Sequence, residues 1–301
     1  MKPVRYLRVN GVHSAVYEAG SCDSDDVALF VHGNPGPMED WEDIARDAAR
    51  FCRVVAVDMP GFGRADHPRA FDFNVGGYGR HLAGLVEQLE LRRVHLVLHD
   101  FGAAWGARWA VDHPTQLASI TLINPLPLLR AFRWHLFAKL WQTPFLGELL
   151  QTLSGPALIR LVMNRDNPTA FPEAFFDRVL GYKDRNQLRA VLRLYRATQD
   201  VQELGKLGSA LGALDPPACV IWGASDRYAP VGYAPAMAEL FTRSELHKLP
   251  GLGHWPFIDD PPALSAIVCN FLGHQMRERG PLQFTDASRL TPRDESRASS
   301  E

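Results

Sequence analysis

Short apolar runs alternate with amphipathic stretches through the first 125 residues. Residues 4–9 and 13–18 read as two β segments joined at Asn10-Gly11, a dipeptide suited to the positive φ angles of a tight hairpin. The run VALFV (27–31) stops at His32-Gly33-Asn34-Pro35-Gly36, and a helical pattern follows over 39–51. The same order returns as VVAV (54–57) before DMPGFG (58–63), a helix over 78–89, VHLVL (94–98), a helix over 102–112 and SITLIN (119–124). Strands that are apolar throughout are buried on both faces, so this alternation predicts a mostly parallel, doubly wound sheet covered on both sides by helices.

The alternation lapses from about 128 to 207, where helical patterns follow one another without strands, punctuated by Pro144, Gly155-Pro156, Pro168 and Pro172. It resumes with ACVIW (218–222), a helix over 233–241, SELHKL (244–249) and a helix over 262–272. The expected organisation is therefore an α/β core made of 1–125 and 212–276, an inserted helical cap over 126–211, and a polar tail over 277–301 whose composition favours disorder. In an open sheet of this kind ligands bind beyond the carboxyl ends of the strands, so chemistry is sought in the loops that follow them.

Composition narrows the function classes. With 32 Lys+Arg against 34 Asp+Glu and a formal net charge of −2, no excess of positive charge is present to neutralise a phosphate backbone or an anionic bilayer, and neither nucleic acid nor membrane is an expected partner. Cys22, Cys52, Cys219 and Cys269 are scattered without a CxxC pair and are expected to be reduced. The first residues lack an apolar stretch of signal-peptide length, and no run reaches the ~18 residues of a membrane span, so the expectation is a cytoplasmic protein. His95, His99 and His113 have no carboxylate or cysteine at metal-ligand spacing, and no GxGxxG or P-loop pattern occurs; neither metal nor cofactor is expected.

The sharpest chemical signal is LVLHDFG (96–102), a buried strand ending at Asp100 with Gly102, Ala103 and Ala104 allowing a helix to start close by. That is the shape of a nucleophile elbow, with aspartate where serine is commoner; the plainer reading is that Asp100 caps the helix. Two further loops change the balance. Asp226 follows a strand in IWGASDRYAP, and His254 lies in the glycine-flanked loop GLGHWPF after the last strand. Each alone is explicable as turn chemistry or packing. Together they give nucleophile, acid and histidine in the chain order of the α/β-hydrolase triad.

By the order of its elements over residues 4–275, the chain resembles an α/β-hydrolase of the aspartate-nucleophile branch, the group of epoxide hydrolases and of haloalkane and fluoroacetate dehalogenases. The resemblance implies Asp100 as nucleophile, Asp226 as acid, His254 as base, and an oxyanion hole from the backbone N–H groups of Asn34 and Phe101. DMPGFG also resembles the family and is read as structural. A carboxylate, with an ordinary pKa of about 3.9, is already ionised at neutral pH and needs no base to attack a saturated carbon. His254 is then free to activate the water that cleaves the resulting ester.

The leaving-group side is mixed. Haloalkane dehalogenases carry Trp after the nucleophile, where this chain has Phe101, which has no donor; fluoroacetate dehalogenases carry Arg there. Asn34 matches a second halide-holding residue of some dehalogenases. Leu-x-x-Tyr-Arg at 192–196 is similar to the lid segment in which epoxide hydrolases place an acidic tyrosine, here Tyr195. A second lid tyrosine is missing from FRWHLF (132–137), where Trp134 or His135 could replace it. The expected function is hydrolysis of an epoxide to a vicinal diol, from a small apolar substrate and water; the alternatives are a haloalkane dehalogenase and, in another class, a non-catalytic ligand-binding homologue.

Overall fold

The computed structural model describes residues 1–2, 5–21, 25–182 and 185–278. Val4, Cys22 and the tail beyond 278, all included in the expectations above, lie outside the described residues. The hairpin pairs β1 (Arg5–Val9) with β2 (Val12–Ala19) around Asn10 and Gly11, whose φ angles are 50° and 84°. The remaining strands are β3 (Asp26–Val31), β4 (Arg53–Val57), β5 (Arg93–Asp100), β6 (Leu117–Pro125), β7 (Ala218–Gly223) and β8 (Ser244–Leu249). They form one eight-stranded sheet in the order β1-β2-β4-β3-β5-β6-β7-β8, antiparallel at the β1-β2 and β2-β4 pairings and parallel elsewhere.

Among the described residues twelve α-helices accompany the sheet: α1 (Glu42–Ala48), α2 (Val75–Gln88), α3 (Phe101–Asp112), α4 (Leu136–Gln142), α5 (Leu146–Leu153), α6 (Pro156–Asp166), α7 (Glu173–Gly181), α8 (Arg185–Ala197), α9 (Val201–Leu214), α10 (Ala234–Ala238), α11 (Pro256–Asp259) and α12 (Pro261–Arg277). Successive strand residues point to opposite faces, and both faces are apolar. Val27, Leu29, Val31, Leu96 and Leu98 pack with Leu85 of α2, Trp105 of α3 and Leu211 of α9, whereas Ala28, Phe30, Val54, Val97 and Ile221 pack with Ile44 of α1 and Val268 of α12. Burying each Val, Leu, Ile or Phe contributes about 1.5–3 kcal/mol, so each strand is fixed twice over, which is why its sequence reads as an unbroken apolar run.

Two helices are shorter than their patterns predict. The first begins as a buried 3-10 turn, Met38–Trp41, because the Asp58 carboxylate accepts the Met38 N–H at 2.7 Å and pulls the chain inward before α1 starts. The pattern over 233–241 is likewise met by a 3-10 turn, Val231–Tyr233, and then α10, which carries Pro235 in its first turn. Between β6 and β7 the described residues contain helices α4 to α9 and no strand. Phe132, Trp134, Leu194 and Tyr195 from this excursion join one sheet layer, and Met163, Phe171 and Phe175 the other, so it spans the strand ends and reaches both sides. The expected core boundary at 211 falls inside α9, whose Leu204, Leu207 and Leu211 pack into the same layer as α3.

Candidate active site

Asp100 ends β5 at φ 47°, ψ −121°, a conformation that costs on the order of 1–3 kcal/mol for a residue with a side chain. Neighbours hold it there. Leu126 N–H donates to the Asp100 carbonyl at 2.9 Å, while two glycines allow the turn to close. A Cβ on Gly33 would stand 2.4 Å from the Asp100 Cβ, and one on Gly102 would stand 2.5 Å from the Val31 carbonyl oxygen, both inside contact distance. The Asn34 N–H donates to Asp100 Oδ2 at 2.8 Å, and the Phe101 N–H also donates to the carboxylate. The two amides expected of an oxyanion hole thus converge on the carboxyl group. His32 steadies their loop, its Nδ1 bonded to the Gly33 carbonyl at 2.8 Å and its Nε2 accepting the Met59 N–H at 2.9 Å. Burial lowers His32 to about 4, so it works as a neutral bridge between the loops after β3 and β4.

Asp226 and His254 meet across the ends of β7 and β8. Asp226 Oδ1 accepts the N–H groups of Tyr228 (2.8 Å) and Ala229 (2.9 Å), and Oδ2 accepts from His254 Nδ1 at 2.7 Å. His254 Nε2 then faces Asp100 Oδ1 at 3.9 Å. All three side chains are buried. Burial alone would lower His254, but the charge and hydrogen bond of Asp226, joined by Asp100, outweigh it and hold the imidazole above the ordinary histidine value. Burial raises Asp100 above the ordinary carboxylate value, opposed by His254 and by the amides of Asn34 and Phe101.

Two positioning groups escape the sequence reading. Asn124, at φ 40° near the end of β6, donates through Nδ2 to Asp226 Oδ2 at 2.7 Å and accepts the Gly223 N–H on Oδ1 at 3.1 Å. His99 Nε2 donates to the His254 carbonyl at 2.9 Å, and burial keeps it neutral, well below the ordinary histidine value. The available signal for Asn124 was a polar residue closing an otherwise apolar strand, beside the strand that Asp100 closes.

A cavity of about 460 Å³ opens over Asp100, walled mostly by apolar side chains of the helical excursion. Tyr195, Trp134 and His135 all line it, as does Tyr228, which the sequence reading passed over. Tyr195 is buried, its ring edge-on to Phe101 at 5.0 Å, and its hydroxyl accepts from Asn34 Nδ2 at 3.4 Å. Burial first, then the nearby Asp100 charge, raises this phenol well above 10, so it keeps its proton and can donate it. Trp134 corrects one expectation. Its ring stacks on Phe101 at 5.9 Å, but its indole N–H donates to the Gln199 carbonyl at 3.2 Å, so this indole's donor is already committed. His135 caps α4 by accepting the Ala138 N–H on Nδ1 at 3.2 Å, and burial lowers it to about 4. Its proton therefore sits on Nε2, as a neutral donor.

Among the described residues, Cys219, Glu245 and His247 on β7 and β8 bring ligand-type atoms within 4.8 Å of one another. Burial raises the Cys219 thiol, which opposes the thiolate that a metal would need. None of the three lines the cavity.

A family model described as the alpha/beta hydrolase fold matches residues 27–261. A 2-hydroxy-6-oxononadienedioate/2-hydroxy-6-oxononatrienedioate hydrolase of a Pseudomonas species is 22% identical over 272 residues, covering 87% of this chain and 93% of its own length. A 2-hydroxy-6-oxo-2,4-heptadienoate hydrolase of Pseudomonas putida is 24% identical over 280 residues, covering 89% and 95%. Among solved structures, the haloalkane dehalogenase DbeA of Bradyrhizobium elkani superposes with a TM-score of 0.80 at 20% identity, covering 91% of this chain and 98% of that one. At that identity the likeness is one of fold.

Proposed function

The chain belongs to the α/β-hydrolase fold family, and from that premise we propose that it hydrolyses epoxides to vicinal diols through an ester on Asp100. The observation that carries the reading is the division of labour between the two carboxylate oxygens. Asp100 Oδ2 is held by the Asn34 amide, while Oδ1 is turned toward His254 and the cavity. An acyl-transfer enzyme would need that amide for its substrate's carbonyl; here the nucleophile's own oxygen occupies it. Oδ1 attacks a ring carbon, the C–O bond breaks, and Tyr195 gives its proton to the departing oxygen. Water, deprotonated by His254, then attacks the ester carbonyl carbon, and the Asn34 and Phe101 amides stabilise the oxyanion. His254 returns its proton to the released hydroxyl, and the proton lost as the carboxylate re-forms restores the phenol through solvent.

Charge drives the change of role at His254. In the resting site Asp100 helps hold the imidazole charged. Alkylation makes Asp100 neutral and removes that contribution, so the pKa of His254 falls once the ester forms and the base is released when it is needed. Ester hydrolysis, which requires neutral His254, should therefore lose rate on acidification only at a pH below the resting pKa of His254.

Single turnover in ¹⁸O-water, followed by peptide mass spectrometry, tests the route: label is expected in the peptide containing Asp100, and label in product alone would refute it. One observation favours a second reading. Asn34 Nδ2 reaches the cavity beside Tyr195 and supplies half of a halide cradle. Diol and halide release measured separately on epoxides and on halogenated alkanes decide between the two.

A further inference from the structure

The two residues that flank His254 are both held by one segment of the excursion, 167–175. On one side, the Gly253 N–H donates to Asp259 Oδ2 at 2.7 Å. Asp259 Oδ1 accepts from Asn167 Nδ2 at 2.7 Å and from the Thr169 hydroxyl, both in the connection between α6 and α7. On the other side, the Trp255 ring lies edge-on to Phe171 at 5.3 Å and to Phe175 of α7 at 5.9 Å. The fit is close enough to dictate a glycine: a Cβ at 253 would stand 2.0 Å from Asn167 Oδ1 and 2.8 Å from Pro168 Cδ.

A plainer role for Asp259 is to close its own loop, since its N–H donates to the Trp255 carbonyl at 3.1 Å. That role uses the backbone and Oδ2. It leaves Oδ1 over, and Oδ1 takes two donors that lie 92 and 90 residues away in the chain. The carbonyls of Gly253 and His254 have donors of their own, Asn124 Nδ2 at 3.3 Å and His99 Nε2 at 2.9 Å, and Asp259 completes Gly253 by accepting its N–H. The same excursion walls the cavity, with Ile159 and Val162 of α6 and Val179 and Leu180 of α7 lining it. One carboxylate therefore joins the cavity wall to the loop that carries the base. His254 works over 2.7 Å to Asp226 and 3.9 Å to Asp100, and misplacing a reacting group by about 1 Å costs on the order of 10²-fold in rate.

We propose that Asp259 is a positioning residue for the base and that, through it, the connection carrying Asn167 and Thr169 sets where the His254 imidazole sits. The proposal deepens the reading above and rests on it for the task of His254, but the placement is measurable without substrate. ¹⁵N NMR titration of the substrate-free protein reads the imidazole. Asp226 helps hold it above the ordinary histidine value, so a loosened contact in Asp259→Ala and in Asn167→Ala is expected to lower its pKa. Rapid quench on an epoxide then separates alkylation from ester hydrolysis. Ester hydrolysis is expected to slow about tenfold in Asp259→Ala and about threefold in Asn167→Ala, with its acid limb moved to lower pH, while alkylation changes by less than about twofold. Thermal melting shows that the variants fold, and Asn167→Ala decides should Asp259→Ala fail to. An unmoved imidazole pKa in both variants would overturn the proposal. So would equal losses in alkylation and ester hydrolysis, which mark a general structural role. A silent Asn167→Ala beside an impaired Asp259→Ala would overturn the part given to the excursion. If the wild type forms no ester, the reaction reading fails and the NMR titration alone decides the placement.

Discussion

The strand-end loops and the helical excursion face each other across one cavity, yet they are held by different forces. On the sheet side, polar geometry is fixed by main chain: Asp100 by a strained turn and the Asn34 amide, and Asp226 by two amides of its own loop. On the helical side, Tyr195 is held by rings, with Phe101 at 5.0 Å, Trp141 at 4.9 Å and Trp134 at 5.6 Å, and by one long contact to Asn34. Main-chain hydrogen bonds fix a position to tenths of an ångström, whereas aromatic packing fixes an environment. The sheet side should accordingly determine whether bonds are made and broken, and the helical side which leaving group is served.

The largest test of that division is His254→Gln. Turnover is expected to fall by about 10⁴-fold or more while Asp100 still reacts, so intact mass should rise by the mass of an epoxide substrate. Normal turnover would remove the sheet side's primacy. Tyr195→Phe comes next, with a loss of about 10²-fold in alkylation measured by rapid quench. An unaltered rate there, with collapse in Asn34→Ala, would move the leaving-group role to the sheet side and favour a halide.

Asn124→Ala should be milder, about tenfold in ester hydrolysis. Its N–H offsets part of the Asp226 charge, so without it the imidazolium is held more strongly and the pKa of His254 rises. The acid limb of ester hydrolysis should then shift to higher pH; a lower rate on an unmoved limb would mark Asn124 as merely structural. Smallest is Trp134→Phe, expected to change alkylation by less than about twofold, because its N–H is already donated to Gln199.

What was legible in the sequence follows the same division. Asp100, Asp226 and His254 each follow a strand, and strands announce themselves by apolar runs, so their positions were readable; that Nδ1 of His254 would meet Asp226 at 2.7 Å rests on a fold that brings 226 and 254 together. Asn124 went unnoticed because its role depends on the ends of β7 and β8 and the loops after them, none near it in sequence. The outward N–H of Trp134 was unreadable for a similar reason, since its acceptor lies 65 residues away on another segment. The excursion's helices were visible as a class, but which faces line the cavity depends on helix–helix contacts that no single helix's periodicity records.

The elbow around residue 100 demands a tolerant backbone and two absent side chains, at Gly33 and Gly102; it makes no demand for a carboxylate. In evolutionary terms the turn is a socket and the nucleophile a replaceable part. An Asp100→Ser chain would keep the strained angle, leave the Asn34 and Phe101 amides free for a substrate's carbonyl oxygen, and inherit His254 as the base that serine needs. Under the proposed ester route, one codon then separates chemistry at saturated carbon from chemistry at an acyl group, while the helical wall would lag behind.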